Sequence, residues 1–355
     1  MEKLVIVDSV FRGRRVWLSG HTGFKGGWLA TWLLRAGAQV TGFAHPPLTP
    51  FFQQLRLQKR IRHEIGDLRN LKEVRQSILH CRPHYVFHLA AQPLVRESYR
   101  IPLETFETNT LGTGHVLEAL RDLRNPCAAV LVTTDKVYRN DEKQGAFHED
   151  DPLGGKDPYS ASKATAEILI HCYRESFFRN HPVRIASARS GNVIGGGDYA
   201  PDRIVPDAFR ALRKGRAVPV RNPQSIRPWQ HVLEPVSGYL TLAAHLFLRK
   251  GFEGAYNFGP SSRDKQTVAA LVRQILKTWP GHVRRIREKN PPHEAAHLQL
   301  DNGKAWKKLK WKPQLSFSEA VTMTMDWYRE SLQPGFDAFR TCQDQITGYI
   351  RTRDL

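Results

Sequence analysis

At 355 residues, with 41% hydrophobic and 25% charged residues, the chain is an ordinary globular protein too long for one core, and it reads as two lobes. No apolar run reaches the roughly 18 residues that span a bilayer, no apolar signal segment follows Glu2 and Lys3, and Cys81, Cys127, Cys172 and Cys342 are scattered; this excludes a membrane protein, a disulfide frame and a zinc site, and points to the cytoplasm. The net charge of +19 runs along the whole chain without a basic tail or a nucleic-acid-binding signature, so it reads as a basic cleft for an anionic small molecule, with no nucleic-acid partner.

The first element is a short buried strand over 14–19, followed by Gly20-His21-Thr22-Gly23-Phe24-Lys25-Gly26 and an apolar helix over 28–34 that Gly37 ends. Glycines at this spacing between a strand and a helix allow a tight turn and close approach of a pyrophosphate, which the helix N-terminus then binds. A second strand over 39–44 ends in Phe43-Ala44-His45-Pro46, with neither the carboxylate that selects NAD nor an arginine for NADP beside it. Asp67, before Leu68, follows the third strand and is either a loop aspartate or a partner of the adenine amine. Further strands are expected over 85–91 and 128–133, with a helix over 110–123. Strands alternating with helices imply βαβ units, hence an α/β fold: a Rossmann-type doubly wound parallel sheet, with a smaller C-terminal α+β substrate lobe carrying helices over 267–278 and 318–331. The expected division is 1–190 with a returning segment near 228–255 for the dinucleotide, and 191–227 with 256–355 for the substrate.

Two motifs carry chemistry. Thr134-Asp135-Lys136 stands at the C-terminal end of an apolar strand, where doubly wound sheets bind ligands. Tyr159 and Lys163, four apart, share one helix face; a lysine beside a phenol favours the phenolate and makes it a usable base. His88 on its apolar strand reads as a core histidine, Trp229 reads as packing more than base stacking, and His231 is open between a structural and a ligand role. His293 and Glu294 lack metal-ligand spacing, so no metal is expected.

Together the glycine motif, Thr134 and the Tyr159–Lys163 pair resemble the extended short-chain dehydrogenase/reductase family. Within it, the residues 88–96, 134–138, 189–198, 226–232 and the late Pro292-His293-Glu294-Ala295 resemble the CDP-glucose 4,6-dehydratases, over roughly 10–330. Glu97 and Val137 depart from the usual pattern. The resemblance implies an NAD cofactor held by Gly20 through Gly26, Asp67, Leu68, Leu89, Ala90, Ala91, Asn109, Tyr159 and Lys163. It implies a nucleotide-sugar substrate held by Gln92, Arg96, Asn192, Arg203, Arg227, Trp229 and His231, and a homo-oligomer, dimer or tetramer. In the implied reaction Tyr159 takes the C4 hydroxyl proton, Lys136 is the base at C5 and Asp135 the acid at C6. An exposed lysine is protonated at neutral pH, so this role requires burial and neighbouring cations to depress the Lys136 pKa. Two other readings stay open: an epimerase or another nucleotide-sugar dehydratase of the family, of which the Asp135–Lys136 pair argues against a simple C4 epimerase, and a non-enzymatic Rossmann protein, against which the intact Thr134, Tyr159 and Lys163 stand.

Overall fold

The computed structural model describes residues 8–353 apart from 142–144, 262–265 and 287–297; the motif over 292–295 lies outside the described residues. Side chains two apart in a strand share a face, and here both faces are apolar. In β1 (Arg15–Ser19) Val16 and Leu18 enter one hydrophobic cluster and Trp17 the other. In β5 (Cys127–Val132) Ala128, Val130 and Val132 point one way, Cys127, Ala129 and Leu131 the other. Such strands need cover on both sides, which parallel sheets obtain from their crossover helices. One side is covered by α1 (Phe24–Arg35), whose Trp28, Leu29, Trp32 and Leu33 are buried. The other is covered by α2 (Leu71–Cys81), α3 (Gly112–Arg121) and α4 (Pro158–Phe177).

The remaining strands are β2 (Gln39–Ala44), β3 (Arg62–Ile65), β4 (Tyr85–His88), β6 (Val183–Arg189) and β7 (Gly254–Asn257). All seven pair in parallel in the order β7-β6-β5-β4-β1-β2-β3, which is the doubly wound sheet expected. Strand β4 stops at His88, earlier than expected, because the N–H groups of Leu89 and Ala90 turn to the Ser19 hydroxyl, 3.2 Å from each. The helix expected from 110 begins at Gly112, after a π-helical turn over Glu107–Leu111.

Beyond β6 the chain builds α5 (Ile204–Leu212), then α6 (Leu233–Leu248), which returns to the sheet and leads into β7. The outer lobe adds α7 (Val268–Thr278) and α8 (Phe317–Glu330), with short strand pairs joining 218–220 to 283–285 and 226–227 to 266–267. A last helix, α9 (Ala338–Arg353), was not expected; its Tyr349 ring packs edge-on against Trp32 of α1 at 5.9 Å. Among the described residues no helix is long and apolar enough to cross a membrane.

Glu234, buried at the start of α6, fastens the C-terminal segments to the sheet. Its Oε1 accepts from the N–H groups of Gln314 and Leu315 at 2.7 and 2.6 Å, and its Oε2 from the Tyr349 hydroxyl at 2.6 Å. Removing this carboxylate therefore strands two backbone donors and leaves the Tyr349 hydroxyl with Ser237 Oγ alone, at 3.0 Å. Glu234→Ala is expected to lower unfolding stability by roughly 2 kcal/mol or more, from about 1 kcal/mol or more for each donor left unpaired, and Glu234→Gln by less. Urea titration followed by circular dichroism checks both.

Candidate active site

The turn between β1 and α1 has the shape of an anion cradle. Gly20 has φ +75°, and a Cβ there would sit 2.7 Å from the Ala90 nitrogen; a Cβ on Gly26 would collide with the Gly20 carbonyl. The helix N-cap is Gly23, and no side chain caps the first turn, so its N–H groups remain available to an anion. Of the side chains in this motif, Phe24 and Lys25 line the adjoining cleft. His21 does not face a ligand: it is fully buried, its Nε2 lies 2.8 Å from His63 Nδ1, and burial pushes its pKa down to about 3. Thr22 is buried beside it, and its carbonyl accepts from the Thr49 hydroxyl.

The neighbouring loops complete this side. Leu89, Ala90 and Ala91 follow β4 and are half-buried. Asn109 is fully buried and acts as a brace: its amide bonds both backbone groups of Gln92, at 2.8 and 3.1 Å, and the Ser162 hydroxyl at 2.9 Å. Leu68 is a core residue. Asp67 reaches the end of β2 from the loop after β3, its Oδ2 3.7 Å from His45 Nε2. Arg69, not anticipated there, grips Asp67 through Nε and Nη2, at 2.9 and 2.6 Å from Oδ2.

A cleft of about 740 Å³ opens at the C-terminal ends of β1, β4, β5 and β6. Thr134, Lys136 and Tyr159 line it. Asp135 is buried beside them, and three donors converge on its carboxylate. Thr134 Oγ1 and Lys136 Nζ reach Oδ1 at 2.9 and 3.3 Å, and Asn192 Nδ2 reaches Oδ2 at 3.2 Å. Burial pulls the Lys136 pKa down, but the Asp135 carboxylate and the Tyr159 phenol outweigh it and hold the ammonium above its usual value. The expected depression is therefore reversed, because the acid and base candidates form an ion pair. Tyr159 departs from expectation too. Burial raises its pKa against the opposing pull of Lys136 and Thr134. Lys163 is buried, donates to the Val132 carbonyl at 3.2 Å, and has its pKa lowered to about 8 by burial.

The opposite wall carries most of the predicted substrate residues. Arg96, Asn192, Arg203, Arg227 and Trp229 line the cleft. Arg203 is held by Asp198 at 2.9 Å, and Asn192 sits in the left-handed region at φ +50°. Trp229 packs as expected, 8% exposed and part of the main hydrophobic cluster, and it borders the cleft. Two predictions are corrected. Gln92 exchanges side-chain bonds with the Leu94 backbone and donates to the Thr105 hydroxyl, and does not line the cleft. His231 is fully buried against Trp28, its Nδ1 accepts from the Leu233 N–H, and burial lowers its pKa to about 3. His88 is a core histidine as expected, between Ser19 at 2.7 Å and Thr113 at 3.1 Å.

Other supporting residues escaped the sequence reading. Glu167 lies one helical turn beyond Lys163 and pairs with Arg189 at 2.9 Å, both buried. Its i+4 spacing from Lys163 was the readable signal. Asp157 caps α4 through the Ser160 N–H at 2.9 Å, and Asp-Pro before Tyr159 is a helix-start signature. Gly191 must be glycine because a Cβ would occupy the place of the Asp135 carboxylate. Among the described residues no group of His, Cys, Asp and Glu is arranged to hold a metal.

The family model described as GDP-mannose 4,6 dehydratase matches residues 18–324. A CDP-glucose 4,6-dehydratase from Salmonella typhimurium is 41% identical over 98% of this chain and 99% of its own. In structure, a dTDP-glucose 4,6-dehydratase from Bacillus anthracis, crystallised in complex with NAD, matches with TM-score 0.74 at 22% identity, covering 89% of this chain and 96% of that one. A UDP-glucose 4-epimerase from Thermotoga maritima matches with TM-score 0.78 at 22% identity, covering 90% and 99%. The chain therefore belongs to the GDP-mannose 4,6 dehydratase family, enzymes of the extended short-chain dehydrogenase/reductase kind that its motifs resemble.

Proposed function

We propose that this chain is an NAD-dependent CDP-glucose 4,6-dehydratase, converting CDP-glucose to CDP-4-keto-6-deoxyglucose. The observation that carries the reading is the Asp135–Lys136 ion pair, its carboxylate buried and its lysine on the wall of the cleft that Thr134 and Tyr159 also line. A C4 epimerase has no use for an acid and a base at C5 and C6. The choice of the cytidine nucleotide rests on the 41% identity to the Salmonella enzyme. Residues 1–190 with 228–255 serve the dinucleotide, and 191–227 with 256–355 the nucleotide sugar. A dimer or tetramer in the cytoplasm is the setting the family resemblance favours.

The glycine cradle, with its uncapped helix N-terminus, fits a dinucleotide pyrophosphate. Bound there, NAD supplies a reversible two-electron hydride acceptor. The chain's own residues handle the protons. Tyr159, bonded to Thr134, takes the C4 hydroxyl proton. The C4 ketone acidifies the C5 hydrogen, which an amine base removes while an acid protonates the departing C6 hydroxyl. The ion pair becomes that acid and base when one proton crosses from Lys136 Nζ to Asp135 Oδ1, a contact of 3.3 Å, with no change in net charge. Arg203 and Arg227 present planar forks suited to the diphosphate.

Tyr159→Phe keeps the ring and removes the base; turnover is expected to fall by roughly 10²-fold or more, with substrate binding nearly intact. Near-normal turnover in a coupled absorbance assay rules out the role. Asp135→Asn and Lys136→Met are expected to spare C4 oxidation and block elimination, so that NADH absorbance builds up on mixing with CDP-glucose. Exchange of the C5 hydrogen with deuterated solvent falls in Lys136→Met. Product formation at the unaltered rate in both variants leaves an epimerase or simple dehydrogenase. For the cofactor, Asp67 brings a carboxylate to the end of β2 and already occupies Arg69. NAD+ is therefore expected to support turnover better than NADP+; reconstitution of cofactor-free protein with each tests this, and a preference for NADP+ contradicts it.

A further inference from the structure

Because all seven strands run parallel, their N-terminal ends lie together along one edge of the sheet, at the far side from the cleft. The segments that enter the strands there are rich in cations. Arg12 and Arg14 precede β1, Arg82 precedes β4, Arg124 precedes β5, and Arg249 and Lys250 precede β7; all six are exposed. In the sheet order β7-β6-β5-β4-β1 these positions span about 20 Å, from the roughly 4.8 Å between neighbouring strands. The carboxylates of the same segments are engaged elsewhere. Asp8 takes Arg35 and Trp32, Asp122 takes Arg75 at 2.9 Å, and Glu253 accepts from the Gly251 N–H at 2.8 Å.

A second basic stretch lies against this edge. Lys308 Nζ donates to the Gly251 carbonyl at 3.2 Å. The short helix over Gly303–Leu309 buries Ala305 and Leu309 and exposes Lys307 and Lys308, and Lys310 and Lys312 just beyond it are exposed too. Amid these cations two large apolar side chains stand out into solvent: Trp306, 48% exposed, and Leu248, the last residue of α6, 56% exposed. Lys310 and Lys312 hold Nζ 5.8 and 5.9 Å from the Trp306 ring. Leu248 rims a hollow of about 300 Å³ that Arg12, Arg14 and His84 also line, with no carboxylate in its wall among the described residues. The Arg15 N–H donates to His84 Nδ1 at 3.1 Å, so the neutral ring carries its hydrogen on Nε2 and is a donor there.

We propose that the N-terminal edge of the sheet docks on a membrane surface rich in anionic phospholipid, resting among the headgroups without crossing the bilayer. The arginines and lysines face lipid phosphates, the hollow takes one of them, and Trp306 and Leu248 enter the headgroup layer. Each cation near such a surface strengthens binding roughly fivefold. An indole suits the boundary between headgroups and acyl chains, and an exposed leucine gains there by leaving water. Along the phosphates of a nucleic-acid duplex that leucine gains nothing. The cleft opens at the other end of the strands, so the docked chain keeps it free for substrate. The inference does not depend on which sugar nucleotide the cleft takes.

The experiment mixes the full chain with sedimenting vesicles of phosphatidylcholine alone, or with about 30% phosphatidylglycerol, at about 0.1 M salt, and measures the bound fraction. Retention is expected on the anionic vesicles only, and is lost at about 0.5 M salt. Reversing three charges in Arg12→Glu/Arg14→Glu/Lys250→Glu should weaken binding by about 100-fold or more. Binding should shift tryptophan emission to the blue; Trp306→Ala should remove most of that shift and weaken binding several-fold. Both variants should keep the turnover and the unfolding midpoint of the unaltered chain, which separates lost docking from lost folding. No retention on anionic vesicles, or equal retention in the triple variant, overturns the proposal. Retention without a blue shift that Trp306→Ala leaves unchanged overturns it as well, and competition by a DNA duplex then marks the edge as a nucleic-acid surface. Turnover of CDP-glucose is read separately, so its absence tells against the proposed reaction and not against the docking.

Discussion

The geometry of the site depends on one buried ion pair, Glu167 with Arg189. Glu167 also accepts from Thr133 and Ser187, and Arg189 bonds the Tyr138 hydroxyl and the Glu149 carbonyl at 2.8 and 2.9 Å. Burial works against the Glu167 carboxylate, and Arg189 with the two hydroxyls more than compensates, holding its pKa below the usual range. Desolvating two charges is expensive, and a buried pair is weak support for net stability. What it supplies here is registration. Glu167 is on the helix of Tyr159 and Lys163; Thr133 immediately precedes Thr134; Arg189 ends β6 just before the loop of Asn192. One pair of charges thus aligns three elements that each deliver a reacting or binding group.

Protonation in the cleft is set by pairing more than by residue type. Lys25, Lys136 and Lys163 are neighbours, yet Lys136 is held charged by Asp135, while the other two are pushed toward neutrality. The carboxylate is the scarce resource. Lys136 takes the Asp135 carboxylate, and burial is the main cause that lowers the other two amines.

Much of this was legible in advance. The strands over 15–19 and 127–132 announce themselves as apolar runs ending in glycine or threonine, and the glycine turn and the Tyr159–Lys163 spacing mark the site. What the chain order hides is which neighbour a side chain meets. His21 stands inside the phosphate motif but turns to His63, 42 residues away. His231 stands inside a family motif but packs on Trp28. The Lys136 pKa was misjudged for the same reason: burial and nearby cations were foreseeable, and the geometry that gives Asp135 to Lys136 was not. The last helix was missed because its apolar residues are widely spaced among polar ones, and only docking on α1 gives them a face.

The glycines after β6 carry a consequence for how this protein can change over generations. A Cβ on Gly191 would displace Asp135, one on Gly195 would meet Val232 and Phe24, and those on Gly196 and Gly197 would strike Trp327 and Phe51. Aromatic rings from both lobes thus clamp the run, and no side chain fits in it without repacking a core. Mutational drift toward other nucleotides is closed along this wall. It stays open at Pro219, Arg221 and Ser225, which border the same cleft outside the glycine run. Descendants of this sequence that recognise a different base should differ there first, with the glycine run unaltered.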